Sequence, residues 1–544
     1  MRKTPVLALL PSRKRPLDVA GLRAHCALQV ESGQAAQTVE SLLDLVAALA
    51  ERCDRQELLL ARLAHAQWGR KSERVSAAQL LLALPAVADV PEIPPAEELP
   101  ASIPGDGTDD SSVPPPLSTP VPNKRKKLRQ IPSNIPRVTT LSEPTEAQKV
   151  CAQCGLQKKH LGCESSEVLE WEPGGFRVEV TQQQKYACRG CEGEIVIGKG
   201  PDRVLDKAMP GPGLLAEIVV RKIKDHCPLE RQSRIFQERF GVPLSASTLG
   251  DWMAGTADVL EPIAKRLRER GLQSPHLSSD DTPIQVLDTA HPKGVKRGRI
   301  WSFVCDEPLV FYEYTPNWQG APIQELLKDY EGTLQGDGYA GLNPLYEKES
   351  GPKRAGCLAH ARRKFVAAYH AGDLRVARTL QLIQELYVIE RRANEDRCNV
   401  TERLRRRQES SAPRMKLLRQ ELDSLGNQAP PKTPLGVAIT YALRQWDALT
   451  LFLSDGAQRI DNNHTERSLR PIAIGRKNWL FAGSDQGARR LAILYTVVGS
   501  CELAGIRDPW EYVRDLLHKL SRSWPHSRLD ELLPLAWLNA RTNP

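Results

Sequence analysis

No uninterrupted apolar stretch of this 544-residue chain approaches the roughly 18 residues that span a bilayer. That excludes a polytopic membrane protein and leaves no membrane partner, while 41% hydrophobic residues exclude global disorder. Cysteine is sparse: there are 12, eight of them scattered singly. A secreted disulfide framework would be denser and sit in a smaller domain, so a reducing compartment fits better. An excess of one charge is lacking too, since 75 Lys and Arg against 66 Asp and Glu leave only +9. This rules out a histone-like protein, yet the sign suits a polyanion partner if the positive charge is concentrated locally. No internal repeat is visible. The opening MRKTPVLALLPSRKR has a short apolar run that stops at Pro11, and it reads as an ordinary cytosolic N-terminus. At roughly 150 residues per domain, three or four domains are expected.

What is present has a clear order along the chain. Residues 38–67 read as a helix, with Leu42, Leu49, Gln56 and Leu63 at heptad spacing and Val46, Cys53, Leu60 and Gln67 between them. This is either a coiled-coil seam or an amphipathic helix packed within its own chain. It runs into the basic GRKSER segment, residues 69–74. Twelve of the 41 prolines fall between Pro91 and Pro136, marking an extended linker that holds the basic run Lys124 to Arg129. Phe176, Val178 and Val180 alternate with polar residues as in a strand. Further strands are expected at Ile284 to Leu287, Ile300 to Cys305 and Leu309 to Tyr314, and a charged helical stretch covers 374–425. The organisation expected is an N-terminal helical or coiled-coil region (1–85), a Pro-rich basic linker (86–140), a zinc-binding domain (141–200), a helix-turn-helix region (201–270), a catalytic domain (271–500, with a helical insertion at about 371–430) and a C-terminal helical tail (501–544).

Two CxxC pairs, Cys151/Cys154 and Cys188/Cys191, present four thiolates from two tight turns. Four sulfurs close a tetrahedral zinc shell with no open position, so such zinc is structural. The 33 residues between the pairs are more than the commonest ribbons have, and His160 and Cys163 are alternative ligands. Residues 231–253 carry helix-turn-helix punctuation: Ile235 and Phe236 face inward, Gly241 permits the turn, Ser245 or Ser247 caps a second helix, and Leu249 and Trp252 pack it. Arg234 and the exposed Thr248 are the candidate DNA contacts, serving positioning more than base readout.

Three short segments carry the chemistry. They are Ser279-Asp280-Asp281-Thr282-Pro283, the Gly-flanked turn Gly336-Asp337-Gly338-Tyr339, and a helix start at Asp461-Asn462-Asn463 with Glu466 one turn from Arg470. Three carboxylates from separate elements suit two-metal phosphoryl transfer, holding two Mg²⁺ or Mn²⁺ ions about 4 Å apart. Hard oxygen ligands select those ions, and carboxylates gathered without a cation repel one another. Arg362, Arg363, Lys364, Arg467, Arg470, Arg476 and Lys477 crowd the same segments, as a site on a phosphodiester backbone requires. Cys357 and His360, one helical turn apart, make a pair better suited to packing or a local hydrogen bond than to metal.

The wording of these segments resembles the insertion-sequence-66 family of transposases (TnpC type). Where that family reads approximately ADETP, VDGYAG and DNNxxERxxRPxxxGRKNWLFAGS, this chain reads SDDTP, GDGYAG and DNNHTERSLRPIAIGRKNWLFAGS. The likeness also takes in GCLAHARRKF (356–365), LDELLP (529–534), both CxxC pairs and GRKSER. It implies a multidomain α+β protein with an RNase H-like α/β core, a zinc module, a helix-turn-helix and an N-terminal coiled coil. The implied catalytic acids are Asp280 on the first strand, Asp337 at the end of the fourth and Glu466 on a late helix. One departure, Asp281 where the family has Glu, leaves two candidates for the first ligand, Asp280 being favoured. The implied activity is DNA transposition: cleavage at the ends of an inserted element, then transfer of the freed 3′-hydroxyls into double-stranded target DNA. Implied partners are a second copy of the chain and small accessory proteins of the same element, in the bacterial cytoplasm. A metal-dependent nuclease without strand transfer and a zinc-containing DNA-binding regulator are the rival readings.

Overall fold

The computed structural model describes residues 131–191 and 194–542. The heptad helix, GRKSER and the basic run at 124–129 lie outside the described residues. The first sheet holds β1 (Arg137–Ser142), β2 (Lys159–Glu172), β3 (Gly175–Ala187) and the short β4 (Val196–Ile197). β2 and β3 form one long antiparallel hairpin, paired from Lys159↔Ala187 to Glu172↔Gly175, and β1 lies parallel to β3. Only its turn end is core: Leu169 and Val178 are fully buried, and Phe176 meets Trp171 and Phe236 edge to face. The open end carries the cysteines. The long interval between the CxxC pairs is therefore a strand out and a strand back.

Three helices follow: α1 (Pro212–Ile223), α2 (Leu229–Phe240) and α3 (Ala246–Gly271). α2 ends at Gly241, whose φ of 68° is left-handed backbone that glycine adopts without strain. Ser245 caps α3 by accepting the Thr248 N–H at 3.1 Å. The expected punctuation is there, but α3 continues for 26 residues through Pro262. Its distal half buries Leu260, Ile263 and Leu267 rather than standing free.

The second sheet contains β5 (His276–Leu287), β6 (Val295–Cys305), β7 (Val310–Thr315), β8 (Thr333–Gln335) and β9 (Lys353–Ala355), in the order β7-β6-β5-β8-β9. β7, β6 and β5 are antiparallel, whereas β5, β8 and β9 are parallel. β5 starts eight residues before the expected Ile284. Its first part, His276 to Asp281, is mostly polar and shows no apolar run. It is strand because its buried polar groups have partners, such as Ser278 Oγ donating to Gln335 Oε1 at 3.2 Å.

Between the sheet and its last helices lies a helical block: α4 (Leu358–His370), α5 (Ala377–Glu395), α6 (Val400–Arg406), α7 (Ala412–Gly426) and α8 (Pro434–Arg444). It has its own buried cluster, drawn from residues 358–460. α9 (Asn463–Trp479), α10 (Asp485–Leu503), α11 (Pro509–Leu520) and α12 (Pro534–Thr542) close the chain. A single larger cluster joins the hairpin base, α1 to α3, the second sheet and these last helices. The Trp510 indole N–H reaches the Gly213 carbonyl at 2.9 Å, so the C-terminal end is tied to the start of α1.

Candidate functional site

The cysteines come together as four. Sγ of Cys151 lies 3.5 Å from that of Cys191, Cys154 3.5 Å from Cys188, and Cys188 3.8 Å from Cys191. A tetrahedral ion with Zn–S bonds of about 2.3 Å demands S–S edges of about 3.8 Å, so the four fit zinc. Backbone N–H groups of Cys154 and Gln153 point at Cys151 and draw its thiol down to about 6, and those of Gly190 and Cys191 lower Cys188. Cys154, facing the thiolates of Cys188 and Cys151, is held up instead, so two of the four thiols are drawn towards the thiolate that binds a metal. His160 and Cys163, the alternative ligands, are elsewhere on β2: His160 pairs with Gln184 at 2.6 Å and Cys163 is exposed.

The carboxylates lie just past the parallel pairing of β5 with β8. Ser278 and Gln335 are the last paired residues of β5 and β8, and Asp280 and Asp337 each lie two positions further on. The equal offsets leave the two acids near enough for the charge of Asp337 to act on Asp280. Glu466 joins them from the first turn of α9. The Asp280 carboxyl is pushed well above its ordinary value by burial, then by the charges of Asp337 and Glu466. Asp337 accepts the Tyr339 N–H at 3.0 Å, and the Tyr441 hydroxyl donates to the Asp337 carbonyl at 2.8 Å. Glu466 is paired with Arg363, and His360 Nε2 stands 3.8 Å from it. Among the described residues, the four cysteines are the one set of possible metal ligands with all donor atoms within 4.8 Å of one another; the three acids are set more widely. Asp281 pairs with Arg299 at 2.9 Å, and burial lifts it to about 6 despite that partner.

The basic residues divide by role. Arg467, Arg470 and Lys477 are exposed on α9, and Arg470 and Lys477 lie four and eleven residues after Glu466, on its side of the helix. Arg362, Arg363 and Lys364 are on α4, where Lys364 packs over the Tyr441 ring. Arg476 donates to Thr282 Oγ1 at 3.0 Å and to the Pro283 carbonyl at 2.6 Å, holding β5 just past the acids. Exposed Arg234 and Thr248, which is half-buried rather than exposed and gives its N–H to the cap Ser245, belong to the α2–α3 hairpin.

Two residues that position this site, Asn462 and Gln335, were given no role from the sequence, and a third, His360, was expected only to pack or hydrogen-bond beside Cys357. Buried Asn462 donates from its amide to the Ser279 carbonyl at 2.9 Å, and its backbone N–H reaches Cys357 Sγ at 3.3 Å. One side chain thus ties the start of α9 to the strand bearing Asp280. Buried Gln335 donates to the carbonyls of Gly356 and Arg459, at 2.9 and 2.7 Å. His360 lies by Asp337 and Glu466, its Nδ1 buried without a hydrogen bond. Asn462 stood inside a quoted motif; nothing local marked Gln335.

Mixed helix and sheet around a four-cysteine centre define a zinc-binding protein. The model described as Transposase IS66 family matches residues 207–490, and that of the zinc-finger binding domain of transposase IS66 matches residues 148–192. The chain belongs to the transposase IS66 family. Among its relatives are three uncharacterized proteins of Sinorhizobium fredii. y4jD is 34% identical over 426 residues (75% of this chain, 81% of the relative). y4hP is 33% identical over 446 residues (77% and 78%), and y4qI 31% over 417 (74% and 76%).

Proposed function

We propose that this chain is a DNA transposase that cleaves the ends of its element and joins the freed 3′-hydroxyls to target DNA at Asp280, Asp337 and Glu466. The observation that carries this is the equal offset of Asp280 and Asp337 past the last pair of the parallel β5–β8 pairing, with Glu466 close enough to raise Asp280 electrostatically. A sheet of three antiparallel strands followed by two parallel ones, with helices after it, supports an RNase H-like core for residues 271–500. Carboxylates crowded until one resists ionisation suit a cation, and Asp280, Asp337 and Glu466 would hold Mg²⁺ or Mn²⁺ there. Such ions, when bound, supply activation of the attacking oxygen and stabilisation of the leaving one.

The chain's own residues do the rest. Asn462 and Gln335 fix the backbone next to the acids. Arg467, Arg470 and Lys477 hold the DNA backbone beside Glu466, and Arg363, already at that carboxylate, supplies a guanidinium for phosphate oxygens. The zinc module and the α2–α3 hairpin, with Arg234 and Thr248, grip the element's ends. The N-terminal heptads pair two copies, and accessory proteins of the element join them.

Incubation of the full chain with pre-cut element ends and target DNA tests the reading, and joined product is expected. Asp337→Asn and Glu466→Gln should abolish joining and cleavage while DNA binding persists. Cleavage without joined product would leave a nuclease. Full processing by both variants would discard the site.

A further inference from the structure

Four residues of separate elements converge beside the acidic site and take no part in the chemistry proposed for it. Asp281 on β5 pairs with Arg299 on β6 at 2.9 Å. The Arg299 guanidinium lies 4.4 Å from the ring centre of Trp318, which follows β7. Tyr339, two residues past Asp337, stacks on Trp318 with centroids 4.9 Å apart and planes 17° from parallel. The Tyr339 hydroxyl donates to the Trp318 carbonyl at 2.7 Å. Trp318 is nonetheless 53% exposed.

An isolated exposed aromatic is ordinary on a protein surface. This one differs in being held by backbone and side chain at once and in sharing residues with the site. Asp281 adjoins Asp280, and the Tyr339 N–H is the donor to Asp337 Oδ1. Through Tyr339 on one side and Arg299 with Asp281 on the other, the indole is joined to the residues next to both acids. A rigid, cation-flanked aromatic surface fits a flat, electron-rich heterocycle. A base inside a duplex has both faces covered by its neighbours, so only a base outside the stack can use it.

We propose that Trp318, braced by Tyr339 and Arg299, is a stacking site for one unpaired nucleobase of the DNA strand held at Asp280 and Asp337. The inference rests on the transposase reading for why DNA is there at all. It also gives Asp281 a purpose other than metal binding, as the anchor of Arg299.

The test uses the full chain and two duplexes of one sequence, one blunt and one ending in a single unpaired 2-aminopurine. Wild type should bind the overhang duplex more tightly, by roughly five- to 150-fold as for one base–aromatic stack, and quench its fluorescence. In Trp318→Ala and Trp318→Leu the preference should collapse towards one and the probe stay bright, whereas Trp318→Phe keeps part of both. The Leu variant keeps an apolar side chain and separates stacking from lost packing. No overhang preference in wild type, or one unchanged in Trp318→Leu, overturns the proposal. Strand transfer reads out separately. Joined product with an indifferent Trp318 sinks this inference alone, and a Trp318-dependent preference without joined product sinks the transposase reading alone.

Discussion

His276 opens β5 four residues before Asp280, and both its ring nitrogens face aspartates. Nδ1 lies 2.8 Å from Asp306 and Nε2 2.7 Å from Asp455, which precedes α9. The clamp links the strand carrying one candidate acid to the approach of the helix carrying another. Those two partners raise the imidazole from 6.5 to about 9 against the opposing effect of burial. That difference is worth roughly 3 kcal/mol at about 1.4 kcal/mol per pH unit. Both aspartates are partly open, at 40% and 36% side-chain exposure, and solvent screening brings the figure down to ~1.5 kcal/mol. A pKa raised in the folded state means that the stabilisation is complete below the unfolded value of 6.5. It is lost as pH climbs through about 9. Urea denaturation of wild type and His276→Ala at a series of pH values isolates it. The gap between them should be larger by ~1.5 kcal/mol at pH 6 than at pH 10. A gap that is constant with pH, or that widens as pH rises, would refute the charged clamp.

Two further outcomes follow from buried chemistry. Protein purified without chelator should contain one zinc per chain, and Cys154→Ser should lose it and open the cysteine end of the β2–β3 hairpin to proteolysis, while the second sheet stays protected; a metal analysis without zinc would remove that centre. Arg407, 1% exposed, grips Glu390 through two 2.7 Å contacts and the carbonyls of Phe452, Asp455 and Gln458. Arg407→Met should cost ~3–5 kcal/mol by stranding Glu390, and a second change, Glu390→Met, should recover much of it in urea titrations; equal losses in the single and double variants would show that the stranded charge is not the cause.

What was legible in advance was local. Each CxxC is a turn that presents two sulfurs, Gly241 is a left-handed stop and Ser245 a cap, and each depends on a few neighbouring residues. Apolar alternation located β3, and the strand-like segments Ile300 to Cys305 and Leu309 to Tyr314 located the cores of β6 and β7, for the same reason: strand character is written in consecutive residues. Pattern failed where a polar segment was nonetheless built in. The early part of β5 is strand only because Gln335 and Asn462, 57 and 183 residues away from their partners, satisfy its buried groups.

By itself, then, the sequence determined the two cysteine knuckles, the helix punctuation at Gly241 and Ser245, and the three acid-bearing segments with their flanking bases. Only the tertiary structure decided that the knuckles close on one tetrahedron, that Asp280 and Asp337 follow the β5–β8 pairing at equal offset, that Glu466 meets Arg363, and that Asp281 turns to Arg299 and Trp318. The physical reason is range. Turns, caps and periodicity are settled by neighbours along the chain, while a buried polar or charged side chain is stable only with a partner, and folding alone brings that partner from hundreds of residues away.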